Sequence, residues 1–221
     1  MTYIYICLVA YLLGSIPFGL ILTRVAGLGD IRDIGSGNIG ATNVLRTGKK
    51  SIAALTLILD ALKGTVAVLI ALFATLTPPG DGGVVHAADG SIEPLSSVFY
   101  PFAHGPQMVG VVALLALIGH MYPIWLKFKG GKGVATALGI WLALSPSVFL
   151  CMLVTWLTGA YLSKLSSFGA LAAMAVLPVL AYLIVPDYLA VALLTMALVV
   201  WRHRGNVSRL LAGTEPKIGA A

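Results

Sequence analysis

Three polar segments interrupt an otherwise apolar chain, and each contains residues whose chemistry suits the binding of phosphate. The first segment, from Asp33 to Arg46, combines glycines with neutral hydrogen-bond donors and one arginine. Glycine lets the backbone turn sharply and expose its N–H groups, and exposed amides beside a guanidinium can bind phosphate oxygens. A flexible loop without a ligand is the alternative. The predicted site residues here are Ser36, Gly37, Asn38, Gly40, Thr42, Asn43 and Arg46.

Part of this segment also matches a nucleotide-binding pattern. Residues Gly35 to Gly40 spell GxGxxG, which binds dinucleotides when a strand precedes it inside a βαβ unit. No strand is predicted before it and no βαβ unit surrounds it. We therefore reject a dinucleotide site.

The second segment, from Lys127 to Thr136, combines lysines and glycines immediately before a predicted helix. The N–H groups at a helix N-terminus bind anions, and nearby lysines add positive charge. Leu126 stands where a Walker A motif needs its first glycine, so this is not a P-loop. A basic stop signal that only orients the helix is the alternative. The predicted phosphate-binding residues are Lys129, Gly130, Gly131, Lys132 and Gly133.

The third segment, from Arg202 to Arg209, offers a group that could accept a proton. His203 stands between two arginines, which should disfavour its protonated form. A neutral imidazole can accept a proton or a hydrogen bond from a hydroxyl group, and Asn206 lies about one helical turn further on. His203 and Asn206 are therefore candidate catalytic residues. An ordinary basic tail that binds anionic lipid is the alternative.

The composition predicts the elements that must position these segments. Of the 221 residues, 59% are hydrophobic and 10% are charged, whereas soluble domains carry about 25% charged residues. A bilayer core is about 30 Å thick, and a helix needs roughly 20 apolar residues to cross it. We predict an all-α integral membrane protein, a single polytopic domain over residues 1–221 with about seven transmembrane helices. The predicted spans are Thr2–Thr23, Ile52–Leu76, Gln107–Leu126, Val134–Leu144, Ser147–Leu162, Phe168–Val185 and Tyr188–Trp201.

Two of the predicted spans differ from an ordinary membrane helix. The stretch Val134–Leu144 is short, so it is either a tilted span or a half-span inside the protein. The first stretch lacks the basic start and small-residue cleavage site of a signal peptide. We therefore expect it to be retained as a membrane helix.

The basic residues predict the orientation of these spans. Every Lys and Arg except Lys63 falls in alternate loops or in the C-terminal tail, and the opposite loops contain none. Because basic loops stay in the cytoplasm, we place the N-terminus outside and the C-terminus inside, with all three polar segments on the cytoplasmic side. The net charge of +6 follows this placement and predicts no nucleic-acid partner. The outer loop Thr77–Pro106 is rich in Pro and Gly and is predicted to be irregular.

One pair of charges is predicted inside a span. Asp60 and Lys63 are three residues apart in the second span, so they share a helical face. A lone charge at mid-bilayer costs about 3 kcal/mol, and pairing lowers that cost. The pair either fixes helix packing or supports a polar site near the inner face, and we assign it a structural role.

The sequence predicts neither a metal nor a cofactor. Cys7 and Cys151 lie in apolar runs and are interpreted as packing residues. No cluster of His, Cys and carboxylate residues has the spacing of metal ligands.

These residues resemble the bacterial acyl-phosphate:glycerol-3-phosphate acyltransferases, the PlsY family. The resemblance covers the whole chain in order, and its motifs are long enough to be specific. The outer loop is longer than the family typically shows, but it lies across the membrane from the motifs. The matching runs are Gly14–Gly19, Gly35–Asn43, Leu59–Gly64, Gly119–Pro123, Lys129–Thr136 and His203–Asn206, with Glu215.

The resemblance implies a specific reaction. Enzymes of this family transfer an acyl group from acyl phosphate to the sn-1 hydroxyl of glycerol-3-phosphate, which gives lysophosphatidic acid, the first step of phospholipid synthesis. It implies a catalytic role for Ser36 and Arg46, and for His203 and Asn206, with a structural role for Glu215. It also implies that residues 129–133 bind glycerol-3-phosphate. The bacterial inner membrane, membrane lipid and a soluble enzyme that makes acyl phosphate are the expected location and partners.

Two other functions are considered. A transporter for an organic phosphate would place its binding residues near the midplane, often between repeated halves, but the basic residues cluster at one boundary and no repeat is found. A lipid-binding scaffold could use a basic inner face but leaves the glycine-rich loops unexplained. The acyl-CoA-dependent acyltransferases resemble one another in a His-x4-Asp motif, and none of the four histidines has Asp at that spacing.

Overall fold

The computed structural model describes residues 2–76, 84–86, 92–94 and 105–219. It confirms the predicted all-α class. The helices are α1 (Thr2–Gly14), α2 (Phe18–Val25), α3 (Ala41–Val44), α4 (Lys50–Leu76), α5 (Pro106–Met121), α6 (Val134–Leu144), α7 (Pro146–Ser163), α8 (Ser166–Ile184), α9 (Leu189–Arg202) and α10 (Arg204–Leu211). Short 3-10 turns lie at Ile31–Asp33, Leu45–Thr47, Ile124–Leu126 and Pro186–Tyr188.

Within the described ranges, four helices are long and apolar enough to cross a membrane. These are α4, α5 with the turn that follows it, α7 and α8. The helix α6 is apolar but only 11 residues long, as its sequence predicts, and Ser145 alone separates it from α7. The count of seven spans stays a prediction, because α6 and α9 are shorter than a full crossing requires.

The first predicted span is not one continuous helix. Helices α1 and α2 are bent by 43° at the break between Gly14 and Phe18. Pro17 at this break has no N–H to donate, so a helical hydrogen bond is lost there. Side chains from other segments donate to two carbonyl oxygens at this break. Trp125 Nε1 donates to Ser15 O at 2.9 Å, and Lys63 Nζ donates to Ile16 O at 3.0 Å.

Small residues bring the helices close together. A Cβ atom placed on Gly139 of α6 would lie 1.8 Å from the carbonyl oxygen of Ala61 in α4. Likewise, a Cβ on Gly14 of α1 would lie 2.1 Å from the carbonyl oxygen of Ala116 in α5. Such close contacts stabilise helix pairs inside a membrane. Close packing matters there because the hydrophobic effect does not drive helices together in lipid. They fix α4, α5 and α6 around the polar residues that those helices carry.

The outer loop contains a short antiparallel strand pair. The strands β1 (Val84–His86) and β2 (Ile92–Pro94) pair with Val85 opposite Glu93. The prediction of an irregular loop is therefore wrong for these two strands. The rest of that prediction falls on residues 77–83, 87–91 and 95–104, which lie outside the described residues.

Candidate active site

All three polar segments meet at one cavity of about 110 Å³. The first segment lines it from Ser36 to Asn43, the second contributes Lys132 and Gly133, and the third contributes His203 and Asn206. Several predicted residues do not line the cavity, namely Gly37, Arg46, Lys129, Gly130 and Gly131. The remaining wall is formed by Leu57, Asp60, His120, Val134, Ala135, Trp156, Ser166, Ser167, Ala170, Glu215, Pro216 and Ile218.

The first segment is organised by the buried side chain of Asn43. Its Nδ2 group donates to the carbonyl oxygens of Ile31, Ile34 and Asn38 at 2.8–2.9 Å. Its Oδ1 atom accepts hydrogen bonds from the Ser36 backbone N–H and from Arg46 Nη1, both at 3.0 Å. Both ends of the amide are thus used by groups of the protein itself, and the phosphate contact of Asn43, which lines the cavity, stays a prediction. Asn43 shapes the loop.

The glycine-lysine loop, defined as residues 127–133, is also held by its own backbone groups. The N–H of Gly130 donates to Met121 O at 3.1 Å, and the N–H of Gly131 donates to His120 O at 3.0 Å. These two amides are therefore engaged inside the protein, and the binding of an anion by Gly130 and Gly131 stays a prediction. Lys129 lies exposed, outside the cavity.

Lys132 is the cation that this loop presents to the cavity. No described residue forms a hydrogen bond or an ion pair with its ammonium group. The pKa of Lys132 is lowered to about 8, mainly by burial; Glu215 opposes this shift, and Arg209, Arg46 and Arg202 contribute to it. The first residues of α6, Val134 and Ala135, line the cavity beside it, so the N-terminal end of an 11-residue helix reinforces the positive potential.

His203 is a buried neutral imidazole at the junction of α9 and α10. Its Nδ1 atom lies 2.8 Å from the carbonyl oxygen of Val199. A carbonyl oxygen can only accept, so Nδ1 carries the proton and Nε2 keeps a lone pair. Burial is the main reason that the pKa of His203 falls to about 4, and Lys132 and Arg202 lower it further against Val199 and Glu215. The predicted neutral state holds, but its cause is burial more than the flanking arginines.

Glu215 connects the C-terminal tail to the cavity wall. Its Oε1 atom accepts hydrogen bonds from Ser167 Oγ at 2.7 Å and from Asn206 Nδ2 at 2.5 Å. Its Oε2 atom accepts from Arg209 Nε at 2.8 Å. Partial burial raises the pKa of Glu215, but the three hydrogen bonds outweigh it and the net shift is downward. Glu215 therefore stays ionised and orients Asn206, whose amide oxygen is left for another donor.

Asp60 and Lys63 form a buried cluster with His120 behind the cavity. Lys63 Nζ lies 2.8 Å from Asp60 Oδ1 and 2.7 Å from His120 Nδ1. It also donates to Ile16 O, so the ammonium contacts one ion-pair partner and two hydrogen-bond partners. Both alternatives for the pair fit this geometry, because the cluster joins α4 to α5 while Asp60 and His120 line the cavity. Within the described ranges, no three His, Cys, Asp or Glu side chains group in a way that could hold a metal ion.

Comparison with known proteins decides the family. Residues 4–213 match the model of the family described as glycerol-3-phosphate acyltransferase. The chain belongs to this family. A glycerol-3-phosphate acyltransferase of Mesorhizobium japonicum is 50% identical over 211 residues, which cover 95% of this chain and 93% of the relative. The family membership confirms the predicted acyltransferase class.

Two solved structures have the same fold as this acyltransferase. The crystal structure of PlsY, an integral membrane glycerol 3-phosphate acyltransferase, in its glycerol 3-phosphate form is 34% identical. It superimposes with a TM-score of 0.81 over 99% of this chain and 96% of that one. The lysophosphatidic acid form has a TM-score of 0.79 at 33% identity, over 98% of this chain and 95% of that one. The likeness confirms that this acyltransferase is an integral membrane protein.

Several residues of the acyltransferase cavity were missed at the level of the sequence. Ser166 and Ser167 begin α8 and line the cavity, and Ser166 Oγ lies 3.1 Å from Thr42 Oγ1. A pair of serines after Lys164, at the start of an apolar helix, was an available signal. Trp156 offered none, because a tryptophan in an apolar helix is ordinarily a packing residue. Its Nε1 atom is buried without a hydrogen-bond partner among the described residues.

Proposed function

We propose that this protein transfers an acyl group from acyl phosphate to the sn-1 hydroxyl of glycerol-3-phosphate. Lysophosphatidic acid and inorganic phosphate are the products. The family supports the acceptor, and the related PlsY has been crystallised in forms with glycerol 3-phosphate and with lysophosphatidic acid. One observation in this chain carries the proposal: the Lys132 ammonium, which no described residue pairs, and the neutral His203 imidazole line the same cavity.

The proposed donor rests on the resemblance and on the reactivity of acyl phosphates. An acyl phosphate is a mixed anhydride, so phosphate leaves readily and no covalent enzyme intermediate is required. The hydroxyl oxygen attacks the acyl carbonyl carbon, and the bond from that carbon to the phosphate oxygen breaks with its electron pair leaving on phosphate. The hydroxyl proton passes to His203 Nε2 or to a phosphate oxygen. Positioning of the two substrates supplies about 7–11 kcal/mol.

The cations and donors around the cavity suit two phosphates. Lys132 and the N-terminal end of α6 would hold one phosphate group, and Arg46 lies close enough to affect Lys132 electrostatically. Ser36 and Asn206 would orient substrate oxygens, since each has hydrogen-bonding capacity left over. A donor aimed at the developing oxyanion adds about 3–4 kcal/mol. For Lys129, whose side chain lies exposed, we propose attraction of anionic substrates to the entrance.

Part of the cavity lining is apolar and suits the start of an acyl chain. Leu57, Ala135, Trp156 and Ala170 form it and come from four helices that lie in the apolar part of the chain. The indole N–H of Trp156 is buried and has no hydrogen-bond partner among the described residues. An amphiphilic donor with a phosphate head and an apolar tail fits such a divided cavity.

We further propose the predicted topology for this acyltransferase. The basic loops and all three polar segments would lie on the cytoplasmic side of the bacterial inner membrane, because basic loops are retained there. The cavity joins three of those segments, which requires that they share one side. Membrane lipid and the enzyme that makes acyl phosphate would be its partners. Labelling of single cysteines placed in the first loop and in the outer loop, in intact cells, tests this orientation.

One assay separates the proposed reaction from its alternatives. Purified protein in lipidic mesophase is supplied with palmitoyl phosphate and labelled glycerol-3-phosphate. Lysophosphatidic acid and inorganic phosphate should appear in equal amounts. Uptake of label into liposomes without product would favour a transporter, and neither uptake nor product would favour a lipid-binding scaffold.

Two substitutions test the assigned roles. Arg46→Ala should abolish turnover, because the guanidinium holds the first loop and adds positive charge near Lys132. His203→Ala decides the proton acceptor, measured as turnover against pH. A rate close to the wild-type value would exclude His203 as the essential base and leave a substrate phosphate in that role.

A further inference from the structure

Arg202 joins two of the three polar segments that meet at the cavity. It is the last residue of α9 and directly precedes His203. Its Nε atom donates to Gly131 O at 3.0 Å, and its Nη2 atom donates to Gly130 O at 2.7 Å. Two adjacent carbonyls thus match the planar fork of one guanidinium, which a lysine cannot reproduce. The guanidinium carbon also lies 5.2 Å from the centre of the Tyr122 ring, a favourable cation–π contact.

The same glycines are held from the other side by His120. A Cβ atom on Gly131 would lie 2.0 Å from His120 Nε2, so the imidazole packs directly against this residue. The ring cannot turn freely, because its Nδ1 atom is engaged by Lys63 at 2.7 Å. With both amides bonded to the end of α5, Arg202 completes the set of contacts that fixes Gly130 and Gly131.

This arrangement leaves Lys132 as the group that the fixed loop delivers to substrate. Lys132 follows Gly131 directly and lines the cavity, whereas Arg202 does not. The Arg202 donors are committed to the loop on one side, and its backbone continues into His203 on the other. A bidentate contact of this kind sets the separation between the Lys132 ammonium and His203.

We propose that Arg202 is a positioning residue, which holds Lys132 and His203 in register so that the phosphate and the hydroxyl of one glycerol-3-phosphate molecule are aligned. The inference rests on the proposed function. It predicts that Arg202 acts on glycerol-3-phosphate through Lys132 and has no direct effect on the acyl phosphate.

The first test uses Arg202→Met and Arg202→Lys in steady-state assays with both substrates varied. For Arg202→Met we expect kcat/KM for glycerol-3-phosphate to fall by about 100-fold, as a misplacement of about 1 Å would cause. The KM for palmitoyl phosphate should stay near the wild-type value. Arg202→Lys should recover part of the loss, since its ammonium can donate to one of the two carbonyls.

Arg204→Met is the matched control. Arg204 flanks His203 on the other side, but it is exposed, stacks on Trp201 with its guanidinium carbon 4.9 Å from the ring centre and donates to Trp201 O. Its kinetics should match those of the wild type. Thermal unfolding of each variant checks that the protein is folded.

A double-mutant cycle decides whether Arg202 works through Lys132. If it does, Lys132→Met with Arg202→Met should be no worse than Lys132→Met alone, because the positioned group is already absent. Additive losses would mean that Arg202 contacts substrate itself and would overturn the inference. So would a fall in kcat for Arg202→Met with both KM values unchanged, which marks a purely structural role. No lysophosphatidic acid from the wild-type protein would overturn the proposed function, whereas wild-type kinetics in Arg202→Met would overturn only the inference.

Discussion

The two glycine-rich loops beside the cavity are stabilised in opposite ways. The first, residues 33–46, is held mainly from within, because the Asn43 side chain bonds to two carbonyls, one backbone N–H and one guanidinium of the same loop. It also bonds to the carbonyl of Ile31, just before the loop. The second, residues 127–133, is held from outside by the end of α5, the His120 ring and Arg202. Two loops of similar glycine content are therefore stabilised by different sets of contacts.

The difference has a consequence for how each loop tolerates change. A loop organised by one of its own side chains should fail as a unit when that side chain is lost. A loop fixed by three other segments should respond to changes far away in the sequence, and such changes should be rescued by matching changes in the partner. Both loops end at the same cavity, so turnover reports on either one.

Among the variants that compare the two loops, the largest effect is expected for Asn43→Ala. The change leaves the carbonyl oxygens of Ile31, Ile34 and Asn38 without their donor, and a buried polar group without a partner costs about 1–3 kcal/mol. We expect turnover to fall by at least about 100-fold, because the loop that carries Ser36 loses its shape. Turnover in mesophase and the unfolding temperature measure this. Wild-type turnover would show that the first loop does not depend on this one side chain.

Gly131→Ala should have the next largest effect. The added methyl group would meet His120 Nε2 at 2.0 Å, and such overpacking costs about 1–3 kcal/mol. We expect a loss of about 10- to 100-fold in kcat/KM for glycerol-3-phosphate, because Lys132 is displaced.

Two further variants test whether the loss in Gly131→Ala comes from contact with His120, which lies outside the loop. Gly205→Ala is the matched glycine change: its Cβ would meet only Arg209 Nη1, at 3.6 Å, so activity should stay at the wild-type level. His120→Ala combined with Gly131→Ala removes the clashing ring and should restore part of the lost affinity. A double variant no better than Gly131→Ala alone would contradict the external support of this loop.

A pH profile should reveal the contribution of the second loop's cation to activity, separately from that of the first loop. The pKa of Lys132 is about 8, so the ammonium is present below that pH and is lost as the pH rises through it. We therefore expect kcat/KM for glycerol-3-phosphate to fall above about pH 8, since kcat/KM reports on the free enzyme. Lys132→Arg should remove this alkaline decline, because arginine stays charged. An unchanged decline in that variant would assign it to another group.

The smallest effect is expected for Asn38→Ala. The Asn38 side chain accepts one hydrogen bond, from the N–H of Gly40 at 2.9 Å, and one such bond contributes about 0.5–1.5 kcal/mol. We expect a change in turnover of a few-fold, far below that of Asn43→Ala. Equal losses for the two asparagines would mean that the first loop has no single organising side chain.

The sequence carried enough information for the class of protein and for most of the cavity. A long apolar run in a membrane forms a helix, because a helix bonds its backbone groups internally. The apolar runs therefore predicted the helices α4 to α9 close to their observed bounds. The three polar segments stood out because each combines glycines with charged or amide side chains between long apolar runs. Their meeting at one cavity follows once they share a membrane face.

The tertiary structure decided which polar atoms are left for a substrate. Asn43, Gly130 and Gly131 have the chemistry of phosphate binders, yet their amide groups are used inside the protein. Lys132 has no hydrogen-bond or ion-pair partner in the part of the chain that the structure describes, and His203 becomes neutral mainly by burial. Composition and spacing determined the helices and the polar segments, because hydrophobicity is a property of each residue. Hydrogen-bond partners and burial depend on which distant segments pack together, so only the folded chain could assign them.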